Sequence, residues 1–143
     1  MPYKYLEDVG TADIAFEATG RDLPELFTAA AEATMNVMIE NLGAIEPRAK
    51  RRVELKNDVI DMLLFDFLQE LIYFKDAERL LLRVHEMRID EKDGHYFLKT
   101  TGAGERLDVA RHQQRCDVKA VTLHSFSVEK IDGGWKARVL LDI

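Results

Sequence analysis

The segment 135–142 has the sharpest alternation of apolar and polar side chains. Trp135, Ala137, Val139 and Leu141 share one face, and Lys136, Arg138 and Asp142 share the other. Successive side chains of a strand point to opposite faces, so this pattern predicts a half-buried strand with Asp142 on its polar face. A slip of one residue would expose the whole apolar row, which restricts the chain to a sheet with one face on a core.

A second alternating segment covers residues 11–19. Ala12, Ile14, Phe16 and Ala18 form its apolar row, and Thr11, Asp13 and Glu17 lie on the other face. The alternation predicts another half-buried strand. Asp13 and Asp142 are therefore both expected on polar faces near strand ends, an arrangement that permits them to meet.

Two segments have helical spacing. Asp22 is expected to cap a helix over about residues 23–40, which should bury Leu26, Phe27, Ala30, Ala33 and Val37. A second helix is expected from about 58 to 75, with Asn57 or Asp58 as its N-cap. Its apolar positions cover much of the circumference, so it should be the more buried of the two.

The remaining segments predict strands, which pair mostly as hairpins. The expected strands are 48–56, 80–90, 95–101, 117–130 and 134–142, with polar turns at 90–94 and 132–134. The glycine-containing segment 101–105 is expected to be a loop where the backbone bends. We therefore expect one α+β domain over residues 1–143, with two helices packed on a largely antiparallel sheet.

Charge and cysteine content exclude several classes of protein. The net charge of −6 argues against a protein that holds nucleic acid mainly through its own phosphate contacts. No apolar stretch reaches the length of a membrane span, and no signal peptide is recognised. The single Cys116 fits a reducing cytoplasm, so the predicted location is cytoplasmic. The basic run Arg48–Arg52 is more typical of a solvated strand start than of an RNA site.

Two aspartates form the first candidate site. Asp13, Asp142 and the carbonyl or terminal carboxylate of Ile143 could, with water, supply the oxygen ligands that a hard cation such as Ca²⁺ requires. Spacing alone nevertheless favours two solvated aspartates over a metal site. Both interpretations therefore remain open at the level of the residues.

Other candidate residues are less informative. The histidines lack the spacing of a zinc site, and Cys116 has no second cysteine to join it. His124 is in phase with Ala120 and is expected as a hydrogen-bonded histidine in the core or at its rim. Lys119 lies on the opposite face; it is expected to be solvated, or to pair with a carboxylate cluster or a partner protein.

Several pieces of the sequence, in order along the chain, resemble the archease family. They are Tyr5-Leu6-Glu7 leading into Thr11-Ala12-Asp13-Ile14, the helix start Asp22-Leu23-Pro24-Glu25-Leu26-Phe27, Leu68-Gln69-Glu70-Leu71-Ile72-Tyr73, Asp117-Val118-Lys119-Ala120-Val121-Thr122-Leu123-His124, and Leu141-Asp142-Ile143. Each piece alone is modest, but the ordered set is specific.

The resemblance implies a fold, a partner and a site. It implies strand–helix–strand–strand modules and a non-catalytic accessory protein for the GTP-dependent RtcB-type RNA ligase, which joins the exons of split transfer RNAs. Such a protein promotes guanylylation of the ligase and repeated turnover, and contacts RNA only indirectly. The family's metal site, usually described with calcium, maps onto Asp13, Asp142 and Ile143, although Mg²⁺ or another divalent ion could take its place. A lysine implicated in activity maps onto Lys119.

One departure from the family pattern occurs at the first motif. Many members read Glu-His-Thr-Ala-Asp, whereas Glu7-Asp8-Val9-Gly10 precedes Thr11 in this chain, so any role of that histidine is not carried over.

Two other functions remain as alternatives. One is a metal-dependent phosphate-ester hydrolase that uses the same carboxylates; the other is an interaction module without an ion.

Overall fold

The computed structural model describes residues 2–6 and 13–143, which form seven strands, two α-helices and one short 3-10 helix. The strands are β1 (Tyr3–Leu6), β2 (Asp13–Gly20), β3 (Ala49–Asn57), β4 (Leu80–Lys92), β5 (His95–Arg106), β6 (Ala120–Ile131) and β7 (Gly134–Asp142), the helices are α1 (Leu23–Met38) and α2 (Ile60–Glu78), and the 3-10 helix is Leu42–Ala44. The expectations for Thr11, Ala12 and the segment 7–10 lie outside the described residues. β1 was not predicted.

The strands form two antiparallel sheets with a shared topology. Their orders are β1-β2-β7-β6 and β3-β5-β4. In each sheet the first strand of a strand–helix–strand–strand unit pairs with the last, so β2-α1-β6-β7 and β3-α2-β4-β5 are two versions of one arrangement. The second unit is inserted between α1 and β6 of the first. The α+β class and the modules are confirmed, although the described residues build two sheets instead of one.

Both helices form where they were expected. The side chain of Asp22 accepts a hydrogen bond from the N–H of Glu25 at 2.9 Å, as an N-cap does. The start of α2 differs from the prediction, because Val59 is its N-cap and makes no side-chain capping bond. Asn57 accepts instead from the N–H of Val59, at 3.0 Å.

The prediction that the second helix is the more buried one is wrong. Ten of the 16 residues of α1 are buried, against six of the 19 residues of α2. Four of the buried residues of α1 are alanines, whose small side chains allow the helix to lie close to the strands. α2 keeps one face in solvent, where Tyr73 is 58% exposed.

The segment 101–105 is part of β5 and not a loop. It pairs on both sides, since Gly104 is opposite Ala49 of β3 and Leu82 of β4. A Cβ atom at Gly104 would lie 1.6 Å from the carbonyl oxygen of Leu81. The glycine therefore permits close approach of two strands, where the sequence was interpreted as a bend.

His124 is exposed, which corrects its assignment to the core or rim. The pairing of β6 with β7 is interrupted between Thr122 and Ser127, and Ser125 has a φ of 55° within this interruption. The extra residues form a bulge, so the two-residue alternation used to place His124 does not continue through it. Leu123, in the same bulge, is 58% exposed.

Side chains of α2 cover the outer edge of β6. The N–H of Val121 donates to Oε1 of Gln69 at 2.8 Å, and the N–H of Val128 donates to Oδ2 of Asp61 at 3.2 Å. These bonds satisfy backbone groups that an edge strand would otherwise leave unpaired. None of the helices among the described residues has the combined length and apolar character needed to cross a membrane.

Candidate metal centre at the end of the four-stranded sheet

Asp13 and Asp142 are directly opposite each other on adjacent strands. They are Cα partners across β2 and β7, and Ala120 of β6 is the next partner of Asp142. Partners across an antiparallel pair have Cα atoms about 4.5–5.5 Å apart and side chains on the same face. The structure therefore places the two predicted carboxylates in one row at one end of the sheet.

Contacts on both sides anchor this end of β7. Leu141 is fully buried and lies opposite Ile14, in the apolar row that packs on the core. Ile143 is half buried and packs against the same core, so Asp142, between them, is on the other face. The backbone N–H of Lys119 donates to the carbonyl oxygen of Asp142 at 2.8 Å.

The charges of this row favour a bound cation. Like charges directly opposite each other on neighbouring strands are destabilising. Within residues 2–6 and 13–143, no lysine, arginine or histidine forms an ion pair with Asp13 or Asp142. Both aspartates are only partly exposed, which weakens screening of their repulsion by water. A divalent cation between the two carboxylates would attract both of them and so replace the net repulsion by a net attraction.

The oxygen atoms present fit a hard cation. For such a cation Asp13 and Asp142 would offer carboxylates and Ile143 would offer a backbone oxygen, whereas the carbonyl of Asp142 already accepts the bond from Lys119. No group of three or more His, Cys, Asp or Glu side chains suited to a metal occurs in the described part of the chain. A calcium ion, with its six to eight oxygen ligands, would therefore also take backbone oxygens and water.

Thr122 carries a further side-chain oxygen near this row, which sequence reasoning did not single out. Its partner on β7 is Leu140, two residues before Asp142, which places Thr122 on the face of the two carboxylates. Its Oγ1 atom is buried without a hydrogen-bond partner among the described residues. A buried hydroxyl of this kind normally has a partner such as water or an ion. The sequence carries no signal for it, because a threonine in a strand is ordinary.

Lys119 is exposed, as expected, and its backbone lies beside Asp142. The segment before it is held by Lys75 of α2, whose Nζ donates to Oδ1 of Asp117 at 2.6 Å and to the carbonyl of Val118 at 2.9 Å. Burial lowers the pKa of Lys75, but its hydrogen bonds to Asp117 and Asp76 raise the pKa by more, so it stays charged. The structure thus brings the backbone of Lys119 to the end of the sheet that carries the aspartates.

A second polar cluster, around Glu105, was also missed from the sequence. The carboxylate of Glu105 is 5% exposed and accepts from the N–H of Glu46 at 2.8 Å, from Nε2 of His112 at 3.0 Å and from Arg111. Nδ1 of His112 accepts from the N–H of Asp108 at 2.9 Å, which indicates the neutral tautomer with its proton on Nε2. The bond from Glu46, followed by those from Arg111 and His112, lowers the pKa of Glu105 to about 2 although burial opposes the shift.

Comparison of the sequence with known proteins identifies the family that this chain matches. The model of the Archease protein family (MTH1598/TM1083) matches residues 3–143. The protein named archease from Methanothermobacter thermautotrophicus is 41% identical over 133 residues, which cover 93% of this chain and 94% of that protein. The protein of the same name from Pyrococcus abyssi is 37% identical over 134 residues, with the same coverage.

Two solved structures have the same fold. The solution structure of Methanobacterium thermoautotrophicum protein 1598 superposes with a TM-score of 0.85 at 37% identity and covers 99% of each chain. The crystal structure of an archease from Thermotoga maritima, described as a "possible chaperone", has a TM-score of 0.60 at 21% identity and covers 94% of this chain and 93% of that one. At that lower identity the second likeness concerns the fold alone.

Proposed function

Because the chain belongs to the archease family, we propose that it is a non-catalytic accessory protein that activates an RtcB-type, GTP-dependent RNA ligase. It would promote guanylylation of the ligase and allow repeated turnover in transfer RNA splicing, in the cytoplasm. The observation that carries this proposal is the pairing of Asp13 with Asp142 at one end of the four-stranded sheet.

The row formed by Asp13 and Asp142, called the metal row from here on, has a specific part in this proposal. Asp13, Asp142 and the backbone oxygen of Ile143 hold a divalent cation, for which Ca²⁺ is our first choice and Mg²⁺ the second. A cation held there supplies positive charge that neutralises phosphate oxygens during nucleotidyl transfer. The chain's own residues hold and orient that charge, and the reacting groups belong to the ligase. The metal row itself reaches RNA only through the ligase complex.

Lys119 acts beside the row as a contact for the partner. Its side chain is exposed, and its backbone is tied to Asp142 by a hydrogen bond of 2.8 Å. An exposed lysine adds a flexible point charge that can meet an acidic or phosphate group on the ligase. We assign it to partner activation and not to metal ligation.

Multiple-turnover ligation by the cognate ligase tests the proposal. The wild-type chain should raise the amount of RNA joined per ligase molecule, and Asp13→Asn should remove most of that stimulation. Asp132→Asn is the matched control, because Asp132 is exposed in the β6–β7 turn at the other end of the same strands. Equal stimulation by wild type and Asp13→Asn would contradict the proposed role of the metal row.

The hydrolase alternative predicts a different result. Purified chain with Ca²⁺ or Mg²⁺ would then turn over phosphomonoesters or phosphodiesters without ligase, and Asp13→Asn would abolish that turnover. The interaction-module alternative predicts that neither ion changes the thermal unfolding temperature. Stimulation of the ligase together with an ion-dependent rise in that temperature is the outcome expected from an accessory protein with a metal row.

A further inference from the structure

A cavity of about 750 Å³ lies at one end of the three-stranded sheet. It is formed where β3 begins, where β5 ends and where the following segment runs past the C-terminal end of α2, at Ala49, Arg106 and Arg79. Its volume is within the range of pockets that hold small ligands. None of the residues that line it belongs to the row of Asp13 and Asp142.

The cavity has a positive lining on an acidic protein. Four arginines line it, Arg48, Arg79, Arg106 and Arg111, against two acids, Glu105 and Asp108. The lining therefore has an excess of two positive charges, whereas the whole chain carries a net charge of −6. This local reversal of sign favours an anionic ligand at this place.

Glu105 holds two of the arginines in place. Arg111 and Nε of Arg48, the latter at 3.3 Å, reach the same carboxylate oxygen. Arg48 also pairs with Glu46, and Arg111 also pairs with Glu46 and Asp108, so the charges of both arginines are compensated. A guanidinium carries five N–H donors, and the donors not used in these pairs remain for a ligand. The low exposure of Glu105 makes this anchor rigid, which reduces the entropy that binding would cost.

The other two arginines have no acidic partner in the described part of the chain. Arg79 and Arg106 are both exposed, and neither forms an ion pair with residues 2–6 or 13–143. Arg79 is the C-cap of α2, with a φ of 54°, and its carbonyl accepts from the N–H of Leu107 at 2.8 Å. Its backbone is therefore held beside the cavity while its charge remains uncompensated.

Arginine, apolar surface and volume together indicate the chemical class of the ligand. The planar fork of a guanidinium matches the oxygens of a phosphate group, and several forks can share one such group. Leu107 and Val109 line the same cavity, and Val109 is 72% exposed. A ligand with a phosphate and an adjoining ring would meet both kinds of surface.

We propose that this cavity is a phosphate-binding site that takes the phosphate group of a nucleotide, either free or as part of an RNA chain. Arg79 and Arg106 supply the uncompensated charge, and Arg48 and Arg111 supply oriented donors. A second cavity of about 390 Å³ shares Ala49 and Arg106 with the first and adds Arg51, which is paired with Glu78 of the same lining at 2.6 Å. Its position provides room for a neighbouring nucleotide of an RNA chain.

Titrations followed by amide chemical shifts test this site, with GMP, a 5′-phosphorylated RNA tetranucleotide and guanosine as the probes. They are made in EDTA and without ligase, so they are independent of the metal row and of the proposed activation. GMP, the tetranucleotide or both should bind, with the largest shifts around residues 105–111. Binding should weaken as salt rises, and guanosine should bind at least tenfold more weakly than GMP. Binding of the tetranucleotide alone would assign the site to RNA, and binding of GMP to nucleotides in general.

Two double variants distinguish binding at the cavity from a general effect of positive charge on the protein surface. Arg79→Gln with Arg106→Gln should weaken binding at least tenfold. Arg52→Gln with Arg88→Gln removes the same charge from exposed arginines of the same sheet outside the cavity, and should change binding less than twofold. Three results would overturn the proposal: no binding of either phosphate probe, equal binding of guanosine and GMP, or equal losses in the two double variants.

Discussion

Asp13 of β2 and Asp142 of β7 are Cα partners, so two carboxylates 129 positions apart in the sequence share one row on one face of a sheet. Such a pair is unfavourable without a cation and favourable with one. The effect of removing one carboxylate should therefore change sign with the ion, which distinguishes a metal row from two solvated aspartates.

Asp13→Asn should have opposite effects on the chain without metal and the chain with calcium. Without metal, the free energy of unfolding should be unchanged or higher by about 0.2–1 kcal/mol, because a like-charge pair is removed. With saturating Ca²⁺, the wild type should gain stability by ligand linkage, and the variant should gain much less. Thermal unfolding in EDTA and in millimolar CaCl₂ measures both. A calcium-dependent shift that is the same in wild type and variant would contradict the metal row.

Gln69→Leu should destabilise the protein by about 1–3 kcal/mol, because the N–H of Val121 loses its acceptor at the edge of β6. Urea unfolding followed by circular dichroism measures this change. Gln69→Glu is the matched control, since it keeps an acceptor oxygen at the same position and should cost less. If both variants lower the free energy of unfolding by the same amount, the lost hydrogen bond to Val121 is not the cause of the destabilisation.

Gly104→Ala should be more damaging than Gly94→Ala. At Gly104 the new Cβ would lie 1.6 Å from the carbonyl oxygen of Leu81, so β4 and β5 must separate, and we expect a cost of about 3 kcal/mol or more. At Gly94 there is open space and only the φ of 77° opposes a side chain, at about 1–2 kcal/mol. Denaturant midpoints compare the two, and a smaller loss at Gly104 would exclude the close approach of the strands.

The pH dependence of stability should reflect Glu105. Its pKa is lowered from 4.5 to about 2 in the folded protein, chiefly by the N–H of Glu46 and then by Arg111 and His112. A lowered pKa of an acid stabilises the fold above its unfolded pKa, so this contribution is complete above about pH 4.5 and is lost as the pH falls towards about 2.

Glu105→Gln should therefore lower the melting temperature at pH 7 and lose less further stability than the wild type between pH 5 and about 2. Glu54→Gln is the control, because Glu54 is exposed and, among the residues that the structure describes, forms an ion pair only with the exposed Arg52. Parallel melting curves for wild type and Glu105→Gln over this range would show that Glu105 is not the group responsible.

Local patterns predicted the elements well because their causes are local. The alternation around Phe16 and Val139 predicted β2 and β7, and Asp22 predicted the start of α1. Two of the errors, at His124 and at residues 101–105, have a common cause, which is a backbone feature without a local signal. The bulge at Leu123–Phe126 turned His124 outwards, and the close approach at Gly104 placed a glycine-rich segment inside a strand.

The two candidate sites could be predicted from the sequence to different degrees. Strand phase was enough to place Asp13 and Asp142 on polar faces. The residues also offered Ile143 and Lys119 as candidates, and the resemblance implied a role for each. The arginine cavity could not be predicted, because Arg48 precedes β3, Arg79 follows α2 and Arg106 ends β5, and the three share no sequence spacing. The basic run Arg48–Arg52 was noticed, but its partners were not.

By itself, then, the sequence determined the α+β class, most strand and helix positions, the family and the faces of the two aspartates, because periodicity and capping act over a few residues. Only the tertiary structure decided that one strand–helix–strand–strand unit is inserted into another, that Asp13 is opposite Asp142, and that arginines from distant parts of the chain line one cavity. Pairing between distant strands depends on the packing of the whole core, and no local pattern records which residues it brings together.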